Sequence, residues 1–385
     1  MNGTLMARIR GALLAPAIAV AVSVVVSSLA LLISGNSPIA ALRAMFDYVT
    51  TTASLVTIIN RAAPLYVVSL GVAIGFKMNL FNIGADGQYR LAALIAAGAS
   101  SAFSLPRPLH IAAVMIIATL VGAAWAAIPG ILKVTRNVNE VISTIMLNYV
   151  ATGVSAYLLV NYMRNDNVAN VAETKSVPKS AQLPSLNGFF ENFGFHFPRL
   201  SVLNGFLPIA ILVGILFYLL IWRTRFGFDL RITGASPAAA RSSGVSPKSM
   251  IVKTIMISGG LAGLAATGFL LTEFTKYNET FPLGLPFTGI AVALLGRNHP
   301  AGVALASFAW MGIEQASRGL LEEKIPPEIS KILLGTLLIS SVISFEVVRR
   351  RNLTQTIKHA AHAVPGGLSS GGPPPAEPTT TGATS

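Results

Sequence analysis

The sequence predicts an all-α integral membrane protein of about ten transmembrane helices, several of them broken, with one short helix in a polar loop between the sixth and seventh. Three observations predict it. Hydrophobic residues make up 53% of the chain and charged ones only 11%, against roughly a quarter charged in soluble domains. The apolar runs reach the length that spans a bilayer, and lysines and arginines collect at their borders. The net charge of +13 is therefore read as membrane orientation and not as a nucleic-acid surface. There is no cysteine, which excludes disulfides and thiolate metal sites.

The first apolar run, 11–34, follows Arg8 and Arg10 in the manner of a secretory leader. At about 36 Å of helix it is long enough to span, and no small-x-small cleavage site follows, so it is expected as a retained crossing. Further spans are expected at 53–76, 89–105, 110–132, 140–162, 205–222, 251–271, 281–295, 301–319 and 331–348. The eighth, 281–295, is short and weakened at one end by Pro282, Gly284 and Pro286, so it survives only beside other protein.

The bias of the 28 lysines and arginines places both termini and Arg349-Arg350-Arg351 on the cytoplasmic side. The domain plan is then a cytoplasmic N-terminus (1–10), a transmembrane domain (11–348) and a disordered cytoplasmic tail (349–385) rich in Pro, Gly, Ser and Thr. Within the domain, an external loop (163–204) carries clustered phenylalanines and is either a docking surface or a packed cap. A cytoplasmic loop (223–250) holds the short helix. Ser236 is a natural cap, Pro237 suits the first helical position, the alanines favour helix, and Gly244 can take the left-handed stop. A helix this short is unstable alone in water and needs a surface to dock on.

Polar residues inside the apolar frame are costly and point to function. Phe81 to Gln88 interrupts two spans with Asn82, Asp86, Gln88 and two glycines, as in transporters that line a path with discontinuous helices. A turn capped by Asp86 explains the same residues. Asn139 and Glu140 read as a cap and a first-turn charge, whereas Asn148 and Tyr149 lie about two turns further in. Arg61 is expected to reach the interface or pair with a carboxylate, for which Glu314 is the candidate; Glu314 is alternatively substrate-facing. The Ser258-Gly259-Gly260 run with Gly263 reads as a helix-packing face.

The stretch Phe81 to Gln88 resembles the FNIGAEGQ motif, and Asn137 to Tyr149 the VNEVISTLMLNY motif, of the permease subunits of ABC importers for nucleosides and simple sugars. Ala235 to Ala265 resembles that family's coupling loop and following helix. The likeness covers about residues 55–348, with Asp86 standing where Glu is usual. It implies a multi-pass protein of the bacterial cell membrane that works with a cytoplasmic ABC ATPase, a second permease subunit (a paralogue by family habit) and an external substrate-binding lipoprotein. It also implies a nucleoside as substrate, with a simple sugar next, and no catalytic residue, metal or cofactor on this chain, since ATP and Mg would sit on the ATPase. The absence of a Gly-x-x-x-x-Gly-Lys-Ser/Thr loop agrees. On this reading Asn82, Asp86, Gln88, Asn148 and Glu314 line the substrate path, and Pro237, Ala239, Ala240, Arg241 and Gly244 touch the ATPase. An ion-coupled secondary transporter, or a docking protein without transport, shares the broken helices and the loop helix.

Overall fold

The computed structural model describes residues 2–168, 171–198 and 201–362. Fourteen α-helices and two isolated antiparallel bridges occur among them: α1 (Asn2–Ile33), α2 (Pro38–Val49), α3 (Thr52–Lys77), α4 (Ala85–Ser100), α5 (Arg107–Arg136), α6 (Glu140–Leu158), α7 (Asn187–Glu191), α8 (Phe206–Arg223), α9 (Arg225–Ala235), α10 (Pro237–Ser242), α11 (Pro247–Phe269), α12 (Leu285–Leu295), α13 (Pro300–Ala316) and α14 (Ile329–His362). Each expected span falls on a helix. Among the described residues five of these, α3, α5, α6 with its π-helical extension to Met163, α8 and α11 with its own to Phe274, are long and apolar enough to cross a membrane unaided. The chain is an all-α, multi-pass membrane protein.

Helices α3 and α11 form the centre. In their most apolar windows 67% and 78% of residues are buried by protein, against 28% for α5 and α8. Because lipid tails are as apolar as leucine, helices in a bilayer associate through close packing, and small residues permit it. A Cβ on Gly122 of α5 would collide with the Gly259 carbonyl of α11, and one on Gly263 with the Ala118 carbonyl. The expected packing face is therefore used against α5. The opposite extreme is α8, whose Ile211, Leu212, Ile215 and Leu216 stay about half exposed.

Three helices escaped the sequence reading: the five-residue α7 in the loop 163–204, α2 and α9. The Ser37 hydroxyl accepts from the Ala40 amide and Pro38 opens α2, which folds back at 119° from α1 and buries Ala41 near Leu320. Helix α9 starts at Thr224, whose hydroxyl accepts from the Gly227 amide at 3.1 Å. A further difference is α14, which continues through Arg349-Arg350-Arg351 to His362. Residues 349–362 are thus helical where a disordered tail was expected, and the rest of that expectation, 363–385, lies outside the described residues.

The loop 163–204 is fastened to the bundle. Thr174 and Val177 donate backbone bonds to the Tyr277 and Thr275 carbonyls, Leu183 donates to Leu271, and His110 of α5 bonds the Ser180 hydroxyl at 2.9 Å. Val177 and Ala181 are buried, so this part is a packed cap. Around α7, Phe189, Phe193 and Phe195 remain exposed.

Candidate functional site

Helix α3 ends where Asn79 turns left-handed (φ 54°), allowing the Leu80 amide to bond back to the Gly75 carbonyl. The chain then re-enters the bundle. Asn82 donates to Gln88 Oε1 (2.8 Å) and to the Ser258 hydroxyl (3.0 Å), and Gln88 returns a bond to Asn82 Oδ1 (3.0 Å). Ser258 lies eleven residues into the 23-residue α11, about 16 Å along it, so this closed polar cluster sits in the middle layer. Both amide side chains are buried.

Helix α4 begins next to that cluster and is stapled from outside. Gly84, at its cap position, offers no side chain. Instead Asn148 of α6 accepts from the Gly87 amide (2.8 Å) and donates to the Ile83 carbonyl (2.9 Å). A Cβ on Gly87 would stand 2.8 Å from that of Ala151, so only glycine lets α6 approach.

Asp86 does not cap its own helix either. Its Oδ1 accepts from the Gly284 amide at 2.8 Å, and its Oδ2 lies 3.7 Å from the Arg90 guanidinium. Gly284 is the left-handed residue (φ 82°) that opens α12, so the N-termini of two short helices converge on one carboxylate. The positive ends of both helix dipoles favour it there. The local capping turn is thus replaced by a knot joining α4, α6, α11 and α12. In the adjoining loop, burial pushes the Tyr277 phenol above its ordinary range while Arg90 pulls it back, so it is a neutral wall group.

Three cavities flank the knot. One of about 390 Å³ lies between α3, α13 and the start of α14. It shares Arg61, Met311 and Glu314 with a second of about 250 Å³ that reaches Leu283 and Gly284. A third of about 210 Å³ is lined by Arg90, Ser155, Tyr277 and, again, Leu283. The lead into α12 therefore separates the second cavity from the third, and that lead hangs from Asp86.

Of the five residues expected along a path, Glu314 lines two of these cavities, whereas Asn82, Asp86, Gln88 and Asn148 come together in the knot with their polar groups bonded to protein. Arg61 pairs with a carboxylate as expected, but with Glu273 (3.2 Å) and not Glu314. Glu273 had no sequence signal beyond being an acid near a span end. Tyr149 turns outward, 72% exposed, while Asn139 caps α6 and Glu140 pairs with Lys133.

The loop helix folds as its residues dictate. The Ser236 hydroxyl accepts from the Ala239 amide (3.2 Å), Pro237 opens α10, and Gly244 takes φ 77°. Pro237, Ala239, Arg241 and Gly244 are exposed. Ala240 is wholly buried, which corrects its expected contact with a partner: its methyl seats the helix on the bundle. The seat is continuous with the knot. Asn79 donates to the Gly234 carbonyl of α9 at 2.8 Å, a Cβ on Gly234 would strike the Lys77 carbonyl, and the Lys77 ammonium lies 5.3 Å from the Trp222 ring. Only Leu80 and Phe81 intervene between Asn79 and Asn82.

A bundle whose half-helices meet end to end, with irregular backbone held by protein and cavities beside it, is the build of a solute permease. Comparison with known proteins agrees. Residues 54–342 match the family of branched-chain amino acid transport system permease components. A guanosine ABC transporter permease of Bacillus subtilis is 31% identical over 87% of this chain and 94% of its own length. A nucleoside ABC transporter permease of Lactococcus lactis is 30% identical over 86% of this chain and 91% of its own. A glucose ABC transporter permease of Haloferax volcanii is 30% identical over 76% and 77%. No solved structure matches. The chain belongs to this family of transport-system permease components.

Proposed function

We propose that the chain is a membrane-spanning subunit of an ATP-driven ABC importer of the bacterial cell membrane, translocating a nucleoside, or a simple sugar, delivered by an external binding lipoprotein. The observation that carries the reading is the mechanical continuity from the exposed α10, through the Asn79–Gly234 bond, to the broken-helix knot. A cytoplasmic ABC ATPase grips Pro237, Ala239, Arg241 and Gly244. ATP and Mg are held there and none on this chain. A conformational change can be driven only by contacts that differ between two states, and α10 supplies such contacts. Its movement pulls the segment 78–84 and shifts the lead into α12 that separates two cavities. Asn82, Asp86, Gln88 and Asn148 form the wall of the route and Glu314 one of its lining groups. A second permease, a paralogue, completes the path. The names of the relatives support neutral, hydroxylated solutes, and the basic segments support cytoplasmic termini with 163–204 outside.

Uptake of radiolabelled guanosine, other nucleosides and glucose by cells with and without this gene tests the substrate. ATPase copurification and dependence of uptake on its activity test the coupling, and uptake persisting with an inactive ATPase establishes an ion-coupled carrier instead. A cysteine at Ser243 should resist an impermeant thiol reagent applied to intact cells and one at Glu323 should react. The reverse pattern overturns the orientation.

A further inference from the structure

The 390 Å³ cavity contains polar groups that the fold leaves without partners. Gln315 is 7% exposed and lines it, yet among the described residues its amide makes no hydrogen bond. The neighbouring Glu314 carboxylate is likewise free of any partner among those residues. Across the cavity Arg61 gives one guanidinium nitrogen to Glu273 while its Nε is buried with none. Buried polar groups are almost always satisfied, so the Gln315 amide calls for a guest, water or solute, while the Glu314 carboxylate beside it is exposed and open to whatever enters. Here the carboxylate and the amide face one space, next to Ile58, Met311 and Pro327, while Arg61 Nε has no surface open to it.

The charges narrow the guest. Arg61, Arg318 and Lys331 line the cavity with Glu314 and Glu328, and Glu273 compensates Arg61 from behind. The balance is even, so a phosphate or other ion gains nothing from the net charge, whereas a neutral solute rich in hydroxyls needs none and can bond the individual polar groups. A carboxylate accepts from two adjacent hydroxyls at once, and the amide next to it both donates and accepts. The apolar patch suits the carbon face of a sugar ring.

We propose that this cavity is a subsite for the vicinal diol of the solute, with Glu314 accepting from both hydroxyls and the Gln315 amide completing the hydrogen bonding. The inference rests on the permease reading above and adds to it a specificity: solutes lacking the diol are not held. One hydrogen bond to a charged group corresponds to about tenfold or more in affinity.

The chain contains no cysteine, so Leu321→Cys places a single thiol at the cavity rim, at a residue 61% exposed. In the assembled transporter in nanodiscs, millimolar guanosine should slow labelling of this thiol by about tenfold, and 2′,3′-dideoxyguanosine should not. Glu314→Leu in the same background should abolish the protection, while Glu314→Gln, which keeps the shape, should lower it. Equal protection by both nucleosides, or protection surviving Glu314→Leu, overturns the inference. So does a thiol reactive in the separated chain and inert in the assembled transporter, which would show the cavity to be covered by a neighbouring subunit. If labelling is insensitive to every solute while cells import guanosine through this chain, the subsite fails and the permease reading stands. If no solute enters through the chain, the permease reading itself fails.

Discussion

Helix α10 and the start of α4 each leave backbone amides without helical partners, and they recruit help from opposite distances. Around α10 the cap is three residues from the amide it serves and the left-handed stop is two beyond the last helical residue. Around α4 the acceptor for Gly87 comes from 61 residues away and the donor to Asp86 from 198. A locally satisfied element can move as a unit without disturbing the rest. An element satisfied from three other helices moves only if they move. The contrast divides the chain into a handle and the parts it moves, and it sets an order of mutational effects.

Asp86→Leu should have the largest effect. It removes the acceptor for Gly284 and leaves Arg90 without its carboxylate, and removal of one partner from a buried pair costs about 3 kcal/mol or more. Assembled complex should fall sharply in detergent thermal-stability measurements, whereas Asp86→Glu should retain most of it. Full stability of the leucine variant would dissolve the knot as a structural unit.

Asn82→Leu or Gln88→Leu should each cost about 1 to 3 kcal/mol by orphaning the other amide. Replacing both removes the mismatch, so the double variant should be less destabilised than the sum of the singles, read as a double-mutant cycle of thermal midpoints. Transport should stay impaired in all three. Additive losses would mean the two amides act independently.

Gly244→Val forces a branched residue into left-handed backbone and should cost about 1 to 2 kcal/mol, and Ser236→Ala about 1. Arg241→Glu should leave the midpoint unchanged and lower uptake per unit of assembled complex. If Arg241→Glu transports normally, α10 is not the handle.

Asn79→Ala is the finest probe of the comparison, since it cuts the link between the two regions. Its effect on stability should be about 1 kcal/mol, and its effect should appear as fewer solute molecules moved per ATP hydrolysed. An unchanged ratio would show that force travels by another route.

The same contrast explains what the sequence disclosed. Ser236, Pro237 and Gly244 act on their immediate neighbours, so α10 and its ends were readable from spacing alone. The break at Asn82 to Gln88 was visible as polar residues where lipid-compatible ones belong. Its partners were not, because Gly284 and Ser258 reach it only through the stacking of α11 and α12, and the same holds for Glu273 as the counterion of Arg61. Ala240 looked like its neighbours until the docking of α10 on α9 and α11 buried it. Helix α2 was overlooked although Ser37-Pro38 is a usable start signal. The extension of α14 was hidden by composition, yet residues 352–364 contain neither glycine nor proline, and the first breaker is Pro365.

Helices α1 and α14 pair along a serine face: Ser340 donates to the Ala19 carbonyl at 3.0 Å, and Ser23 and Ser340 lie 3.4 Å and 317 residues apart. At roughly 5 to 20 residues per second of synthesis, α1 waits in lipid for about half a minute before its companion exists. Its serine is prepared for the delay. The Ser23 hydroxyl also bonds the Ala19 carbonyl of its own helix at 2.8 Å, as Ser340 does Thr336 at 2.5 Å, so each helix is tolerable to the bilayer before they meet. A chain that stops before α14 therefore leaves α1 with its own hydroxyl bond made and its partner face empty.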